Sequence, residues 1–290
     1  MKKILLCLDT DTQPSMFDSV VAIDAGVDHL LRHGDVSPAQ VRDLVHGAMF
    51  TRGREGLRSS AVFIGGSDMH KGELLLAEAQ RAFFGKVRVS LMLDSGGSNT
   101  TAAAAVITAG RHLSLGPETT AVVLGGTGPV GQRVVRMLAQ EGAEVRVVSR
   151  KMPRAEGVCH RVSQLISGAR LTPHVAEDGD VEPIISGAQL VISAGAAGVE
   201  LLGESARKAS AALRVAIDLN AVPPSGIGGV APQDKAVEHD GQICYGALGV
   251  GGLKMKLHKS AITSLFQSND AVLDAEAIYA LGKSLELKPK

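Results

Sequence analysis

The fold class is decided by residues 121–131, which read Ala-Val-Val-Leu-Gly-Gly-Thr-Gly-Pro-Val-Gly. An apolar, β-branched run ends in glycines, and apolar residues then recur at helical spacing from Val130, which predicts a strand, a tight turn and a helix. Gly126, Gly128 and Gly131 fit the pattern G-x-G-x-x-G, in which glycines allow the turn, a close pyrophosphate and close helix packing. Because a helix N-terminus also favours phosphate, the stretch predicts a dinucleotide site rather than a merely glycine-rich turn. The predicted contacts are Gly126, Thr127, Gly128, Pro129, Val130 and Gly131.

The residues after the next predicted strand, 145–148, indicate which dinucleotide is bound. An Asp or Glu about 20 residues beyond the glycines takes the ribose hydroxyls in NAD-selective sites, whereas cations serve the 2′-phosphate of NADP. This chain has Ser149, Arg150 and Lys151 there, and its nearest acid, Glu144, precedes the strand. A guanidinium and a hydroxyl suit a dianionic phosphate. We predict NADP binding through Ser149, Arg150 and Lys151, with NAD as an alternative cofactor and a merely solvated basic loop as the alternative interpretation.

Further strands follow the glycine motif at 189–194, 214–219 and 242–245. Each ends in small or polar residues, and ligands of open α/β sheets bind at the carboxyl ends of strands. Ala194 and Asn220 are therefore predicted to lie along the cofactor.

The composition restricts the partners of the protein. The 290 residues carry a formal net charge of zero and a sequence pI of about 7.1, which gives no indication of nucleic acid or an anionic membrane as a partner. Cys7, Cys159 and Cys244 lie far apart, which predicts neither disulfides nor a metal site and suits a reducing cytoplasm. No apolar stretch reaches the length of a membrane span. We expect a cytoplasmic protein that binds small molecules or further subunits.

The first third of the chain alternates strand and helix patterns, which predicts parallel βαβ units. The predicted elements are strand 3–8, helices 16–31 and 38–49, strand 61–65, helix 69–83, strand 87–93 and helix 99–113. The strands end in polar turns that contain Asp9, Ser67 and Asp94, so their carboxyl ends predict a polar substrate floor. The alternative is that these residues only form turns and helix caps.

The fold class predicted from these patterns is α/β with two domains. A Rossmann-type domain with a parallel sheet is predicted over residues 116–269, after a break at Gly116 and Pro117. An α/β substrate domain is predicted over residues 1–115, together with a C-terminal helix at about 270–290 that crosses back to it.

Three stretches outside the glycine motif resemble one family. Residues 9–18, 93–103 and 246–258 contain Pro-Ser-x-Phe-Asp, Gly-Ser-Asn-Thr-Thr-Ala-Ala and Gly-Gly-Leu-Lys-Met-Lys-Leu-His. In these motifs, and along almost the whole chain, the sequence resembles the bacterial methylene-tetrahydromethanopterin dehydrogenases, NAD(P)-dependent enzymes of one-carbon oxidation in methylotrophs. The resemblance implies a reduced pterin bound between a substrate domain and a Rossmann-type domain, with NADP alone or both nucleotides as cofactor.

The resemblance also implies roles for four residues. Phe17 would line the pterin pocket, and the hydroxyl of Thr101 would lie near the reacting carbon. Lys254 and His258 would be the paired polar residues of the catalytic segment. The family further implies a homo-oligomer, a trimer or its multiple, and some members also accept methylene-tetrahydrofolate.

The residues themselves leave alternatives open. Lys254 and His258 stand four positions apart on one helical face, which fits either contact with an anionic or carbonyl-bearing ligand or a solvated basic surface. Oxidation of a methylene bridge between two nitrogens removes only a hydride, so no general base is expected, and the chain carries no H-E-x-x-H motif or other metal signature. The alternatives are a methylene-tetrahydrofolate dehydrogenase, another two-domain NADP-dependent dehydrogenase with Lys254 or His258 as proton acceptor, and a non-catalytic NADP sensor.

Overall fold

The computed structural model of the chain describes residues 1–176 and 180–287. The chain divides into two compact units: unit 1 contains Met1–Thr100 and Met255–Lys290, and unit 2 contains Thr101–Lys254. Both divisions fall inside helices. The domain limits predicted at 115 and 270 remain a proposal, and the last three residues of the predicted C-terminal helix, 288–290, lie outside the described residues.

The described strands number β1 to β12 along the chain. They are β1 (Ile4–Asp9), β2 (His29–His33), β3 (Ser60–Gly65), β4 (Ser90–Leu93), β5 (Thr120–Leu124), β6 (Glu144–Ser149), β7 (Arg170–Val175), β8 (Leu190–Ser193), β9 (Val215–Asp218), β10 (Lys235–His239), β11 (Gln242–Tyr245) and β12 (Val272–Leu273).

The described α-helices number α1 to α10, and two short 3₁₀ helices accompany them at Arg54–Ser59 and Ser95–Gly97. The α-helices are α1 (Met16–Asp24), α2 (Pro38–Phe50), α3 (Met69–Arg81), α4 (Ser98–Gly110), α5 (Pro129–Gln140), α6 (Met152–Leu165), α7 (Glu182–Ile185), α8 (Glu204–Ala209), α9 (Ala247–Ser264) and α10 (Ala275–Glu286). Among the described residues, no helix combines the length and apolar character needed to span a bilayer.

The sheet of unit 1 has the strand order β12-β4-β3-β1-β2, and every neighbouring pair is parallel. The central strand β3 is buried along its whole length, as expected for a parallel strand covered on both faces. On one face, Leu8 and Ile64 pack with Val41 of α2 and Leu75 of α3. Because β1, β3 and β4 are parallel neighbours, their carboxyl ends lie side by side at one edge of the sheet.

The sheet of unit 2 has the order β7-β6-β5-β8-β9-β11-β10, parallel except for the edge strand β10. This is the order of a doubly wound dinucleotide-binding sheet, in which the connections reverse direction between β5 and β8. The predicted fold class, a Rossmann-type domain with a parallel sheet beside an α/β domain, is confirmed.

The helix predicted over residues 16–31 is wrong beyond Asp24. α1 ends there, Gly26 adopts a φ of +86°, and residues 29–33 form β2, which pairs with β1. Glycine takes this left-handed conformation without the steric cost of a Cβ atom, so it ends the helix although Leu30 and Leu31 continue the apolar spacing. No element is predicted for residues 152–175, where the structure has α6 and the edge strand β7.

Candidate functional site

The glycine loop of unit 2, residues 125–131, leads from β5 into α5 and leaves no room for a side chain at Gly125 or Gly131. Gly125 has a φ of +70°, in the region that favours glycine. A Cβ atom on Gly131 would lie 2.3 Å from the carbonyl oxygen of Gly125. A Cβ atom on Gly125 would lie 2.7 Å from the Cα atom of Gly195, the residue that follows the predicted contact Ala194. Bare backbone from two loops therefore meets where the order of the sheet reverses.

This loop has the features of a pyrophosphate site. The N-cap of α5 is Gly128, which has no side chain to satisfy the free N–H groups of the first helical turn. Gln132 Nε2 donates to Thr127 O over 2.9 Å, and Gly126 N donates to Val148 O over 3.0 Å, so the loop is fixed on both sides. Unoccupied N–H groups at a helix N-terminus, approached over bare glycines, suit a phosphate. The structure brings the residues of the glycine motif together, and their contacts with a nucleotide stay a prediction.

The three residues predicted for the 2′-phosphate lie at the end of the neighbouring strand. Ser149 ends β6 and is buried, whereas Arg150 and Lys151 are exposed. Ser149 Oγ lies 3.3 Å from Thr127 Oγ1 and accepts a hydrogen bond from Lys151 N over 3.3 Å. Glu144 begins β6, so its carboxylate belongs to the opposite end of the strand. The arrangement puts two cations and a fixed hydroxyl beside the glycine loop and Glu144 at the far end of the strand.

Asn220, the other predicted cofactor contact, holds a loop of its own chain. Its Nδ2 donates to Pro224 O over 3.0 Å, and its Oδ1 accepts from Val222 N over 2.9 Å. Asp218 Oδ2 accepts a further bond of the same loop, from Gly226 N, over 2.7 Å. Burial raises the pKa of Asp218, while backbone N–H groups stabilise its charged form. Both side chains therefore shape the proline-rich loop after β9, and a contact of Asn220 with the cofactor stays a prediction.

The polar strand ends of unit 1 are occupied by their own loops. Asp9 accepts backbone bonds from Asp11 N over 2.8 Å and from Ser15 N over 3.2 Å, and burial raises its pKa. Asp94 accepts from Thr100 N over 3.1 Å and from Thr100 Oγ1 over 2.6 Å at the start of α4. These carboxylates accept hydrogen bonds of turns and of a helix start. This is the alternative to a polar substrate floor at the strand ends of unit 1.

Two of the four residues implied by the resemblance meet in unit 1. The ring centroids of Phe17 and His258 lie 6.4 Å apart, and Phe17 is 52% exposed. His258 is fully buried and stacks on Phe63 at 5.9 Å with an interplanar angle of 19°. Its Nε2 lies 3.9 Å from Asp18 Oδ1. The sequence does not single out Phe63, because an aromatic residue inside a buried strand looks like any other core residue.

Lys254 and Thr101 lie where helices pass from one unit to the other. Lys254 is half-buried, stands one turn before His258 on α9 and is the last residue of unit 2. Thr101 is half-buried in the first turn of α4 and is the first residue of unit 2. Their roles at the reacting carbon stay predictions.

Two family profiles match the chain. The first, described as “Methylene-tetrahydromethanopterin dehydrogenase, N-terminal”, matches residues 16–96. The second, described as “Putative NAD(P)-binding”, matches residues 113–225, which include the glycine loop and the strands β5 to β9.

Two proteins of Methylorubrum extorquens are similar to the chain. The bifunctional protein MdtA is 44% identical over 287 residues, which are 98% of this chain and 99% of that protein. The NAD(P)-dependent methylenetetrahydromethanopterin dehydrogenase is 29% identical over 296 residues, covering 97% of both proteins.

Two solved structures share the fold. The quinate dehydrogenase from Corynebacterium glutamicum in complex with NAD has a TM-score of 0.55 at 13% identity and covers 98% of this chain and 99% of its own. The shikimate 5-dehydrogenase from Listeria monocytogenes in complex with shikimate and NAD has a TM-score of 0.54 at 13% identity, with coverages of 97% and 96%. At such identities the similarity concerns the fold alone.

Proposed function

Because the chain belongs to the family of the bacterial NAD(P)-dependent methylene-tetrahydromethanopterin dehydrogenases, we propose that it oxidises methylene-tetrahydromethanopterin to methenyl-tetrahydromethanopterin with NADP. The family makes it an oxidoreductase that uses NAD(P). The pterin, the preference for NADP and the direct hydride transfer form the proposal.

The aromatic cluster of unit 1 is the observation that supports a pterin substrate. The Phe17 ring is half-exposed, and the buried imidazole of His258, itself stacked on Phe63, lies near it. Flat conjugated rings associate by offset stacking or edge-to-face packing, with centroids roughly 4.5 to 7 Å apart. An exposed aromatic ring supported by a second ring system therefore suits the flat face of a pterin.

The nucleotide would be held by unit 2. Gly126, Gly128 and Gly131 carry no side chains, so the N–H groups at the start of α5 would be accessible to the pyrophosphate. Arg150 and Lys151, with the hydroxyl of Ser149, would bind the 2′-phosphate that distinguishes NADP from NAD. When bound, the nicotinamide supplies the hydride acceptor of the reaction.

The chain's own residues would act by positioning rather than by proton transfer. Removal of a hydride from the methylene bridge leaves a methenyl cation delocalised over two nitrogens, and no proton leaves the carbon. Orientation of the reacting groups can contribute ~7–11 kcal/mol in the most favourable cases. We assign Lys254 a positioning and electrostatic role toward the pterin, and Thr101 a position near the reacting carbon.

A four-way assay tests the proposal. Purified protein is mixed with methylene-tetrahydromethanopterin or methylene-tetrahydrofolate, each with NADP or NAD, and reduced nucleotide and methenyl product are followed together. We expect the highest kcat/KM with methylene-tetrahydromethanopterin and NADP. Failure of all four mixtures refutes the proposal, and a clear preference for the folate moves the assignment to a methylene-tetrahydrofolate dehydrogenase.

The assembly is a separate part of the proposal. We infer a homo-oligomer, a trimer or its multiple, from the family alone, and light scattering of the purified protein tests it. The cytoplasmic location expected from the three isolated cysteines also stays a prediction.

A further inference from the structure

We infer that Arg154 is a further specificity residue for the nucleotide, whose guanidinium binds the phosphate that distinguishes NADP from NAD. The inference rests on the proposed NADP site at Ser149, Arg150 and Lys151, and it adds a cation from another element, the first turn of α6.

The start of α6 lies at the correct edge of the sheet. β6 is parallel to β5, so the loops after both strands emerge at the same carboxyl edge, one into α5 and the other into α6. Lys151 is the N-cap of α6, and its carbonyl oxygen accepts a hydrogen bond from Arg154 N over 3.1 Å. Arg154 is thus fixed in the first turn of a helix that begins beside the glycine loop.

Arg161, two turns further along α6, reveals which way the side chain of Arg154 leaves the helix. Arg161 Nη2 donates to Gln132 Oε1 over 3.1 Å, and Gln132 in turn donates to Thr127 O of the glycine loop over 2.9 Å. Residues seven positions apart on an α-helix differ in direction by only about 20°. Arg154 therefore leaves α6 on the side that faces α5, roughly 10 Å nearer to the carboxyl edge than Arg161.

A glycine lies on the face of α6 between the two arginines, so no side chain projects from the helix there. Gly157 lies within α6, one turn after Arg154 and one turn before Arg161. A Cβ atom there would lie 3.4 Å from Arg161 Nη1. The absence of a side chain at Gly157 leaves this face of α6 open for the two long arginine side chains.

The charges at this edge have no partner among the residues that the structure describes. Arg150, Lys151 and Arg154 are exposed, and none of their side chains forms a hydrogen bond or ion pair with another described residue. Arg146, at the other end of β6, is by contrast engaged, since it donates to Ile184 O over 2.7 Å. Three uncompensated cations within five residues repel one another, and a dianionic phosphate among them relieves the repulsion.

Substitution of Arg154 by glutamine tests the inference against two matched variants. Arg161→Gln changes an arginine on the same helix face, away from the carboxyl edge, and Arg150→Gln changes a residue of the proposed site itself. Dissociation constants are measured by calorimetry for 2′,5′-ADP, which carries the 2′-phosphate, and for 5′-AMP, which lacks it. KM values for NADP and NAD are measured with the methylene pterin that the protein accepts.

We expect Arg154→Gln to weaken 2′,5′-ADP binding about tenfold, the loss of one charge-assisted hydrogen bond, and to change 5′-AMP binding less than about twofold. The KM for NADP should rise while that for NAD stays unchanged. Arg161→Gln should leave both probes unaffected, and Arg154→Lys, which keeps the charge, should lose less than Arg154→Gln. Because Arg154 is exposed, the melting temperature of the free protein should not change.

An equal loss for both probes would place Arg154 at the 5′-phosphate and overturn the inference, as would no loss for either. If Arg150→Gln discriminates the probes and Arg154→Gln does not, this inference alone fails. If the unsubstituted protein binds 2′,5′-ADP no better than 5′-AMP, the proposed NADP preference fails as well.

Discussion

At the residue scale, burial separates Lys254 from His258, which the sequence treats as a pair. His258 is 0% exposed and lies against Phe17 and Phe63, whereas Lys254 keeps part of its side chain at the surface. A buried imidazole among aromatic rings supports its neighbours, and a half-buried ammonium can reach a bound ligand. We therefore predict that Lys254, rather than His258, contacts the substrate.

Lys254→Ala should lower kcat/KM for the methylene pterin by about tenfold to hundredfold, a loss of roughly 1.4–2.7 kcal/mol of transition-state stabilisation. The affinity for NADP should stay nearly the same, since Lys254 is assigned to the pterin. Lys256→Ala is the matched control, because Lys256 is exposed two positions later on α9. Steady-state kinetics and nucleotide titrations check both variants, and a large loss of NADP affinity in Lys254→Ala would contradict the assignment.

At the element scale, the glycine loop is the segment least able to accept a side chain. A Cβ atom on Gly131 meets the carbonyl oxygen of Gly125 at 2.3 Å, and backbone cannot move aside as a flexible side chain can. A Cβ atom on Gly47, an exposed residue near the C-terminal end of α2, would meet nothing within 4 Å. Alanine substitution at Gly131 therefore tests the steric requirement of the loop, and the same substitution at Gly47 measures the general effect of alanine in a helix.

Gly131→Ala should displace the loop, lower the melting temperature by several degrees and abolish measurable NADP binding. Gly47→Ala should stabilise the protein by up to about 1 kcal/mol, because alanine is the better helix former. Calorimetric melting and NADP titration measure both effects. Normal nucleotide binding by Gly131→Ala would show that the loop does not carry the pyrophosphate.

The elements that the sequence predicts well are those with a strong local signal. The buried strands β3, β5 and β9 are continuous apolar runs, and the glycine loop is fixed by the steric needs of three residues. β2 and β7 escape prediction because they are edge strands without a single fully buried residue, so they lack the apolar pattern of a core strand. Gly26 is the available signal that α1 ends before β2.

The candidate site is predictable only in part, for a physical reason. Spacing along α9 places Lys254 and His258 on one face, yet it cannot show that Phe63 stacks on the imidazole, because that contact joins β3 to α9. Asn220 illustrates the converse case. The hydrogen bonds of its side-chain amide with Pro224 O and Val222 N depend on how the loop after β9 folds, and the sequence of the loop does not reveal that fold.

At the scale of the whole molecule, all three cysteines are buried: Cys7 in unit 1, and Cys159 and Cys244 in unit 2. Burial raises the pKa of Cys7 to about 12 and that of Cys244 to about 11, and it also raises the pKa of Cys159. Because the thiolate is the reactive form of cysteine, native thiols with raised pKa values react slowly at pH 8.

We expect 5,5′-dithiobis(2-nitrobenzoate) to react slowly with the native protein at pH 8 and rapidly with all three thiols after unfolding in guanidinium. Absorbance of the released thionitrobenzoate gives both rates. Unfolding restores the ordinary pKa of each thiol, so the ratio of the two rates reports the burial. A native thiol that reacts as fast as the unfolded ones would contradict the described packing.

Unit 1 consists of two separate segments of the chain, and the whole of unit 2 lies between them in sequence. During translation, the nucleotide-binding sheet is complete before the ribosome synthesises β12, α10 and the second half of α9. His258, whose imidazole lies near the Phe17 ring, is among these later residues. The nascent protein can therefore assemble its dinucleotide site before it contains the last residue of the aromatic cluster of Phe17, Phe63 and His258.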